Sequence, residues 1–280
     1  MTARIAIVTT VELAEPDMDE VLLLPLLPEA ERVAWDDPNV DWSAYEVAVL
    51  RTTWNYTEHL PEFLAWADRV SAVTRLVNPL SVLTWNTDKR YLADLEARGL
   101  PVVPTVFVAP GESVPADALH GSVVVKPSVG AGSAGAALFH DDAAGALAHA
   151  QALHAADKTV MIQPYLEQVD TVGETAMAYL GGQFSHAARK AAILSKELSN
   201  STGLYADEEI SAYSPSVAER ELADRAVATL TGVAYARVDL LPTDDGPVIL
   251  ELELAEPSLF LHVSEGAPER AAAAFRALLP

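Results

Sequence analysis

The sequence predicts an α/β fold in which a small parallel lobe precedes two units of antiparallel strands and helices. Apolar runs at 4–9 and 47–50 flank a helix-length segment, which is the spacing of strands in a parallel sheet. A β-branched run at 123–126 leads into a glycine-rich loop, and strand-like alternation surrounds turn signals at 181–182 and 244–246. These patterns place parallel pairing early in the chain and antiparallel pairing in the rest.

The composition excludes several classes of protein. The 280 residues are 50% hydrophobic, enough for a large core and two or three lobes. A net charge of −22 argues against nucleic acid and anionic membrane surfaces as partners. The absence of cysteine excludes disulfides, thiolate catalysis and Cys-based zinc sites. The dense apolar run from Val21 to Leu27 is too short to span a membrane, so we expect a soluble cytoplasmic protein.

The segment from Arg51 to Tyr56 directly follows the apolar run at 47–50. Ligands of open α/β sheets bind beyond the carboxyl ends of the strands, so this segment is a candidate substrate site. Arg51 suits a substrate carboxylate because a guanidinium group donates two parallel hydrogen bonds. Trp54 and Tyr56 either line that pocket or pack in the interior of the lobe, and the sequence leaves both interpretations open.

Helical patterns follow at 59–70 and from Thr87 to Gly99, with a short strand at 76–79 between them. Lys89 lies near the N-terminus of the second helix, where a positive charge opposes the helix dipole. A bound phosphate would explain this lysine, and a solvated surface lysine is the alternative.

The loop from Gly130 to Gly135 combines small residues with accessible backbone N–H groups, as phosphate-binding loops do. Its GxGxxG spacing also fits a dinucleotide-binding fold, which requires a helix at the third glycine. Residues 136–140 favour a strand instead, and a helix signal comes only at Asp141. We therefore predict a strand, a flap that covers phosphates and a second strand, with Lys126 just before the flap.

A proline interrupts the chain where the strand at 160–163 ends in Gln163-Pro164-Tyr165-Leu166. Because proline removes a donor from the sheet ladder, neighbouring backbone groups become available to a flat heterocycle. The next segments, 174–180 and 183–190, form a predicted hairpin around two glycines. Residues 191–212 show no clear pattern and are predicted to form a loop over the site, and a helix with a capping box is predicted over 214–231.

The last informative segment sets Arg237-Val-Asp239 against Glu251-Leu-Glu253. A two-residue turn would direct Asp239 and Glu251 to opposite faces, whereas a three-residue turn at 244–246 would place all four charged residues on one face. We favour the three-residue turn because its glycine suits the third position. Facing carboxylates repel unless a cation neutralises them, so Mg²⁺ or Mn²⁺ shared with nucleotide phosphates is predicted over a solvated sheet face.

In this order and spacing, the motifs resemble the ATP-grasp superfamily, in particular its glutathione-synthetase-like branch, over roughly 85–260. Three segments, 51–56, 85–89 and 251–260, are similar to the cycloserine-forming ligase group, in which a linear ureido amino acid is cyclised at the expense of ATP. The resemblance implies an α/β N-terminal lobe at 1–85 and two antiparallel-sheet subdomains, at 86–170 and 171–280, that clamp ATP.

The resemblance also implies a role for each matching residue. ATP would contact Lys89, Lys126, Gly130, Gly132, Ser133, Gln163, Tyr165, Leu166 and Glu174. Two Mg²⁺ or Mn²⁺ ions would be ligated by Asp239, Glu251 and Glu253, and the transferred phosphoryl group would be stabilised by Arg189 and Arg237. The substrate would contact Arg51, Trp54, Tyr56, Glu256 and Ser258.

Two positions depart from the family pattern. Glu253 stands where the superfamily usually has Asn, which adds a negative charge to the metal site. Ala176 stands where the glutathione-synthetase pattern has a substrate-binding Arg, which argues against a glutathione-like substrate.

The implied reaction is phosphorylation of a substrate carboxylate by ATP, followed by attack of an amine on the acyl phosphate and release of ADP and phosphate. The substrate is expected to be small and amino-acid-like, and the amine belongs either to the same molecule or to a second one. A homodimer is the assembly typical of such ligases. The alternatives are a non-catalytic ATP-binding protein of the same fold and a dinucleotide-dependent dehydrogenase, which would need a helix at Gly135.

Overall fold

The computed structural model describes residues 4–191 and 209–280. Its first lobe is a four-stranded parallel sheet, as the sequence predicts, with the strand order β2-β1-β3-β4. The strands are β1 (Ile5–Thr9), β2 (Ala30–Ala34), β3 (Val47–Leu50) and β4 (Arg75–Val77), and the helices of this lobe are α1 (Met18–Leu23) and α2 (Leu60–Ser71). All residues of β1 and β3 are buried, which is why both strands read as apolar runs.

The assignment of the segment between β1 and β3 to helix or loop was wrong for β2. This strand lies at the edge of the sheet, and Val33 is its one buried residue. Because a solvated strand face carries polar side chains, here Glu31 and Arg32, β2 lacks the apolar run that marks its neighbours. Its parallel pairing with β1, not its composition, makes it a strand.

The helix predicted from Thr87 to Gly99 is present but begins four residues later, at Tyr91, and a second short helix that was not predicted precedes it. These two helices are α3 (Leu80–Asn86) and α4 (Tyr91–Ala97). In the turn between them, the backbone N–H of Lys89 donates to the carbonyl oxygen of Ser128 at 2.8 Å. This residue is therefore tied to the second sheet and lies outside the helix.

The second sheet carries the glycine-rich flap. Its strands pair antiparallel in the order β5-β8-β6-β7. They are β5 (Val106–Val108), β6 (Val123–Pro127), β7 (Ala137–Phe139) and β8 (Val160–Pro164), and α5 (Ala143–Ala155) packs on them. Since a strand and not a helix follows Gly135, the predicted strand, flap and strand are confirmed and the dinucleotide-fold alternative is wrong.

The third sheet is antiparallel, with the strand order β11-β10-β9-β12-β13. The strands are β9 (Glu174–Leu180), β10 (Gln183–Lys190), β11 (Ile210–Tyr213), β12 (Tyr235–Leu241) and β13 (Val248–Glu253). The remaining helices are α6 (Val169–Val172), α7 (Val217–Ala228) and α8 (Ala267–Arg276). The predicted hairpin around two glycines and the capping box of α7 are both confirmed.

The loop predicted over 191–212 lies largely outside the described residues, which exclude 192–208. Its last part is not a loop, because Ile210–Tyr213 forms β11 and pairs with β10 at the edge of the sheet. A four-residue edge strand with half of its side chains exposed has no apolar pattern by which the sequence would mark it.

The facing of the acidic residues was predicted correctly but for the wrong reason. Asp239 pairs with Glu251 and Arg237 with Glu253, as expected. The turn, however, is a two-residue turn at 244–245, closed by two backbone hydrogen bonds between Thr243 and Gly246. A bulge at Leu250 then shifts the register by one residue and returns the acidic pairs to a common face.

Apolar packing joins the first lobe to the third sheet. One buried cluster contains Ile5 of β1, Leu23 of α1, Tyr235 of β12 and Phe275 of α8. The C-terminal helix thus packs on both units and fixes their arrangement. No helix in the described ranges has the length and apolarity needed to cross a lipid bilayer.

Candidate active site

A cavity of about 340 Å³ lies between the second and third sheets, next to the segment that follows β3. It brings together residues from every unit of the fold. Of the predicted site residues, those that line it are Lys89, Lys126, Gly130, Gly132, Ser133, Gln163, Tyr165, Leu166, Glu174, Arg237, Asp239, Glu251, Glu253, Trp54, Tyr56, Glu256 and Ser258. Arg51 and Arg189 lie outside its lining.

Arg237 holds two of the three candidate metal ligands. Its Nε and Nη2 atoms donate to the two carboxylate oxygens of Asp239 at 2.8 and 2.7 Å, and Nη2 also donates to Glu253. Burial raises the pKa of Glu253, and the charge of Asp239 acts in the same direction. Burial also disfavours ionisation of Asp239, but Arg237 outweighs it and lowers the pKa of that carboxyl. One guanidinium therefore serves one buried and one half-buried carboxylate.

The third candidate ligand, Glu251, meets cations from outside its own sheet. Lys126 Nζ donates to Glu251 Oε1 at 2.7 Å, and Lys89 Nζ lies 3.6 Å from Oε2. Burial opposes ionisation of Glu251, but the two ammonium groups prevail and lower its pKa. Lys89 Nζ also donates to the carbonyl oxygen of Gly130 at 2.7 Å, which ties the start of the flap to this charge cluster.

A third lysine reaches the cavity from β10. Lys190 Nζ donates to Glu174 Oε1 at 2.6 Å and lies 3.8 Å from Asp239 Oδ2. Burial raises the pKa of Glu174, and Lys190 opposes that rise. The residue expected to contact the ribose of ATP is therefore held in place by an ion pair.

Arg189 was predicted to lie in the site, but in the structure it lies outside the cavity lining. Counted from a two-residue turn, regular pairing would set Glu174 opposite Arg189, but a bulge at Ser185 sets it opposite Lys190. Because neighbouring strand residues point to opposite faces, Arg189 points to the face that α7 covers. There its guanidinium lies over the ring of Tyr213 at 3.7 Å and 3.7 Å from a carboxylate oxygen of Glu219.

Arg51 is likewise absent from the cavity, although it was expected to bind a substrate carboxylate. It is 1% exposed and lies beneath the loop that follows β13. Its Nη2 donates to the carbonyl oxygen of Pro257 at 2.6 Å and lies 3.5 Å from Asp19 Oδ2. The position of Arg51 at the end of a strand correctly placed it near the cavity. Its side chain, however, bonds the loop that follows β13 and does not line the cavity.

Side chains hold the backbone of that loop, residues 254–261, along its length. Asp19 accepts hydrogen bonds from the N–H groups of Leu259 and Leu261 at 2.6 and 2.8 Å. Six successive carbonyl oxygens, from Leu254 to Leu259, accept in turn from Asn78, Tyr235, Trp54, Arg51, Arg237 and His186. The loop that presents Glu256 and Ser258 to the cavity is therefore fixed from several elements at once.

The other end of the cavity contains the segment predicted to meet a heterocycle. The backbone N–H of Tyr165 donates to Ser122 at 2.8 Å, so it is not available as expected. The N–H of Leu166 has no hydrogen-bond partner among residues 4–191 and 209–280. Gln163 donates through its side chain to Thr105 at 2.9 Å. Leu166 is thus the available backbone donor of this segment.

The donor set fits a hard divalent cation. Asp239, Glu251 and Glu253 offer only oxygen atoms, lie on one sheet face and line the cavity. Within the described part of the chain, no three acidic, histidine or cysteine side chains converge closely enough to hold an ion as they stand. Each of these three carboxylates accepts from Arg237, Lys126 or Lys89 instead, so cations already balance the positions where metal would bind.

The sequence analysis missed three residues that build the site. Lys190 was passed over for its neighbour, and only knowledge of the bulge would have distinguished them. Asn86 and Tyr91 satisfy the outer edge of β13: Asn86 bonds the carbonyl of Leu252 and the N–H of Leu254, both at 2.7 Å, and Tyr91 accepts from Leu252 at 2.9 Å. An amide followed closely by a tyrosine gives no local signal of that role.

Comparison with known proteins places the chain among ligases. Residues 5–78 match the family model described as the N-terminal domain of the D-cycloserine synthetase DcsG. The cycloserine biosynthesis protein DcsG of Streptomyces lavendulae is 39% identical over 260 residues, covering 84% of each chain. The crystal structure of D-cycloserine synthetase DcsG superimposes with a TM-score of 0.87 at 35% identity, over 99% of this chain and 100% of that one.

More distant structures share the fold. An ATP-grasp RimK domain protein from Sphaerobacter thermophilus has a TM-score of 0.68 at 20% identity over 98% of each chain. The D-alanine–D-alanine ligase of Bacillus anthracis, solved in complex with ATP, has a TM-score of 0.67 at 15% identity over 99% of this chain and 96% of the other.

Proposed function

Since the chain belongs to the ATP-grasp ligases and is related to the cycloserine biosynthesis protein DcsG, we propose that it joins a carboxylate to an amine at the expense of ATP. In the proposed reaction, the carboxylate attacks the terminal phosphorus of ATP and ADP leaves. The amine nitrogen then attacks the acyl carbon, phosphate departs, and the nitrogen loses a proton. Phosphate is a far better leaving group than hydroxide, so the amide forms in water.

The observation that carries the proposal is the meeting of opposite charges across the cavity. Lys89 and Lys126 approach Glu251 from the flap side, and Arg237 holds Asp239 and Glu253 on the facing sheet. Preorganised cations of this kind suit the negative charge that develops on a transferred phosphoryl group. Burial strengthens each of these interactions relative to water.

The nucleotide would lie along the second sheet. Lys89 and Lys126 would hold its phosphates, the flap with Gly130, Gly132 and Ser133 would cover them, and Glu174 would contact the ribose. The adenine would lie by Gln163, Tyr165 and Leu166, where the N–H of Leu166 is the available donor. Arg237 would face the transferred phosphoryl group, because its guanidinium is already fixed between two carboxylates.

Asp239, Glu251 and Glu253 would hold Mg²⁺ or Mn²⁺. When bound, the metal supplies positive charge that neutralises the phosphates and orients the terminal one. One solved ligase of this fold has been described in complex with ATP, and another in complex with Mg and ADP. In this chain, the three carboxylates would exchange their contacts with Lys126 and Arg237 for the metal, which frees those cations to contact phosphate oxygens.

We further propose that the carboxylate and the nitrogen belong to one molecule. Two of the relatives described above are named for cycloserine, whose ring contains an amide bond between its own carbonyl carbon and a ring nitrogen. The candidate substrate residues Trp54, Tyr56, Glu256 and Ser258 line the same cavity as the candidate nucleotide residues, which supports a small amino-acid-like substrate placed next to ATP.

The test is release of ADP and phosphate from ATP and Mg²⁺ in the presence of a linear ureido amino acid, with a panel of single and paired amino acids alongside. We expect ADP release with the linear compound alone; ring closure would first give the carbamoyl-substituted ring, and hydrolysis of the bond between the ring nitrogen and the carbamoyl carbon would then release carbamate and give D-cycloserine. Release only with paired amino acids would contradict cyclisation but support ligation. Tight ATP binding with no ADP from any substrate would favour a non-catalytic ATP-binding protein instead.

A further inference from the structure

Glu256 differs from every other carboxylate that lines the cavity. Glu174, Asp239, Glu251 and Glu253 each accept a hydrogen bond from a lysine or arginine. Glu256 is only 7% exposed, and within the described ranges no cationic nitrogen lies within 4.0 Å of it. A buried carboxylate without a counter-charge is costly unless something in the functional state pairs with it.

The nearby cations are committed elsewhere. Lys89 contacts Gly130 and Glu251, and Arg237 contacts Asp239, Glu253 and the carbonyl of Ser258. Tyr56 lines the cavity together with Glu256, and its ring is stacked on Phe63 with centroids 5.0 Å apart. Burial, helped by the charge of Glu253, raises the pKa of Glu256 to about 8. Arg51 lies outside the cavity lining and 3.5 Å from Asp19; its Nη1 has no hydrogen-bond partner among the described residues, but none of its nitrogens lies within 4.0 Å of a Glu256 carboxylate oxygen.

The backbone of Glu256 is held by hydrogen bonds at the residue itself and on both sides of it. The carbonyl oxygen of Glu256 accepts from Trp54 at 3.3 Å, and the carbonyls on either side accept from Tyr235 at 2.8 Å and Arg51 at 2.6 Å. With both neighbours pinned, the residue has little freedom to turn out to solvent. Trp54 and Tyr56 line the cavity beside it.

We infer that Glu256 binds the ammonium group of the substrate, which is therefore an amino acid that keeps its primary amine free during the reaction. The inference rests on the proposed function in one respect, namely that a small amino-acid-like molecule occupies this cavity. An ammonium group would pair with Glu256, the one carboxylate of the cavity lining that no cation of the described chain contacts. D-cycloserine carries such an amine outside its ring.

Calorimetric titration with D-cycloserine and with isoxazolidin-3-one, the same ring without the amine, tests the inference without requiring turnover. We expect wild-type protein to bind the amine at least tenfold more tightly, since a hydrogen bond to a charged group contributes about 1.5–3 kcal/mol, or a factor of about 10–150. Glu256→Gln should lose that preference, and Glu256→Asp, which keeps the charge on a shorter side chain, should retain part of it.

Glu265→Gln is the matched control, because it removes the same charge from an exposed side chain outside the cavity lining. It should bind both rings as the wild type does. Unchanged ATP binding by Glu256→Gln would show that the variant is folded. A preference that survives in Glu256→Gln, or a wild type that lacks it or binds neither ring, would overturn the inference.

The same variants separate this inference from the proposed function. If wild type releases ADP with the linear substrate, Glu256→Gln should raise the KM for that substrate by about 10- to 100-fold and leave the KM for ATP unchanged. An unchanged substrate KM would refute the ammonium contact while leaving the ligase intact. If wild type prefers the amine ring but never releases ADP, the proposed function fails and the ammonium site stands.

Discussion

The hairpins β9–β10 and β12–β13 belong to one sheet and are built alike, but they balance their charges differently. Each turns through two residues, and each contains one bulged residue, Ser185 or Leu250. In β9–β10, Glu174 pairs with Lys190 of the same hairpin. In β12–β13, Arg237 contacts Asp239 and Glu253, and the third carboxylate, Glu251, pairs with Lys126 of the second sheet.

The difference shows where the site depends on the approach of two sheets. On the face toward the cavity, β9–β10 sets one carboxylate, Glu174, against one ammonium group, Lys190, whereas β12–β13 has surplus negative charge and needs cations from elsewhere. Lysines of the flap side supply part of that charge here, and the divalent cation and phosphates of the proposed reaction would exchange with them. We therefore expect changes in β12–β13 to couple to ligands and to the second sheet, and changes in β9–β10 to remain local.

The largest effect should follow from Lys126→Met. It removes the ammonium group that contacts Glu251 at 2.7 Å and would meet phosphate, so ADP release should fall by about 10²- to 10³-fold. Stability should fall by about 3 kcal/mol because a partly buried carboxylate loses its partner. Denaturant unfolding of Lys126→Met/Glu251→Gln is the control: it should recover most of the stability but none of the activity. Near wild-type ADP release from the single variant would contradict the charge-sharing model.

The next effect concerns metal dependence. In Asp239→Asn, the gain in ATP affinity that Mg²⁺ gives should shrink by about 10- to 100-fold, because a ligand oxygen carries less charge. In Glu174→Gln, on the self-balanced hairpin, ATP affinity should fall while the gain from Mg²⁺ stays the same. Titration of ATP with and without Mg²⁺ measures both. An equal loss of metal dependence in the two variants would mean that the hairpins do not differ as described.

A smaller effect tests the local character of β9–β10 directly. A double-mutant cycle on Glu174→Gln and Lys190→Met should give a coupling of about 1–2 kcal/mol, because their side chains are in contact. Glu174 combined with the exposed Lys158→Met should be additive within about 0.5 kcal/mol, since Lys158 pairs with Glu58 in another part of the molecule. Additivity in the first cycle would argue against a self-contained charge pair.

The smallest effect separates the two turns by backbone strain alone. A Cβ added at Gly181 or at Gly246 meets nothing within 4 Å, but their φ angles are +57° and +115°. Gly181 is in the left-handed well, so Gly181→Ala should cost about 1 kcal/mol. Gly246 lies outside that well, so Gly246→Ala should cost about 2 kcal/mol. Thermal unfolding ranks the two, and the reverse order would contradict this assignment.

Much of this molecule could be predicted from the sequence because its signals are local. The buried strands β1, β3 and β6 are β-branched or otherwise apolar runs, and the flap is identified by small residues between two strands. The edge strands β2 and β11 escaped prediction for the opposite reason, since half-exposed strands lack such runs. Most predicted site residues line one cavity. They could be predicted because the motifs that contain them lie on or next to such strongly marked strands and the flap.

Which face a charged side chain takes was decided only by tertiary structure. The bulge at Leu250 forms where this residue packs with Val103 and Val169, and the neighbouring Ile249 bonds the backbone of 101–103. The bulge at Ser185 forms where Arg270 of α8 bonds its hydroxyl at 3.0 Å. Both contacts join segments far apart in the chain, and a shift of one residue exchanges the two faces of a strand.

The sequence by itself therefore determined which charges this protein has available, in what order, and on which strands. Tertiary structure decided that Lys190 and not Arg189 enters the cavity, that Arg51 supports a loop, and that no cation from residues 4–191 or 209–280 pairs with Glu256. The physical reason is range: strand and turn preferences act over a few residues, whereas bulges and ion pairs depend on packing partners that only the folded chain brings together.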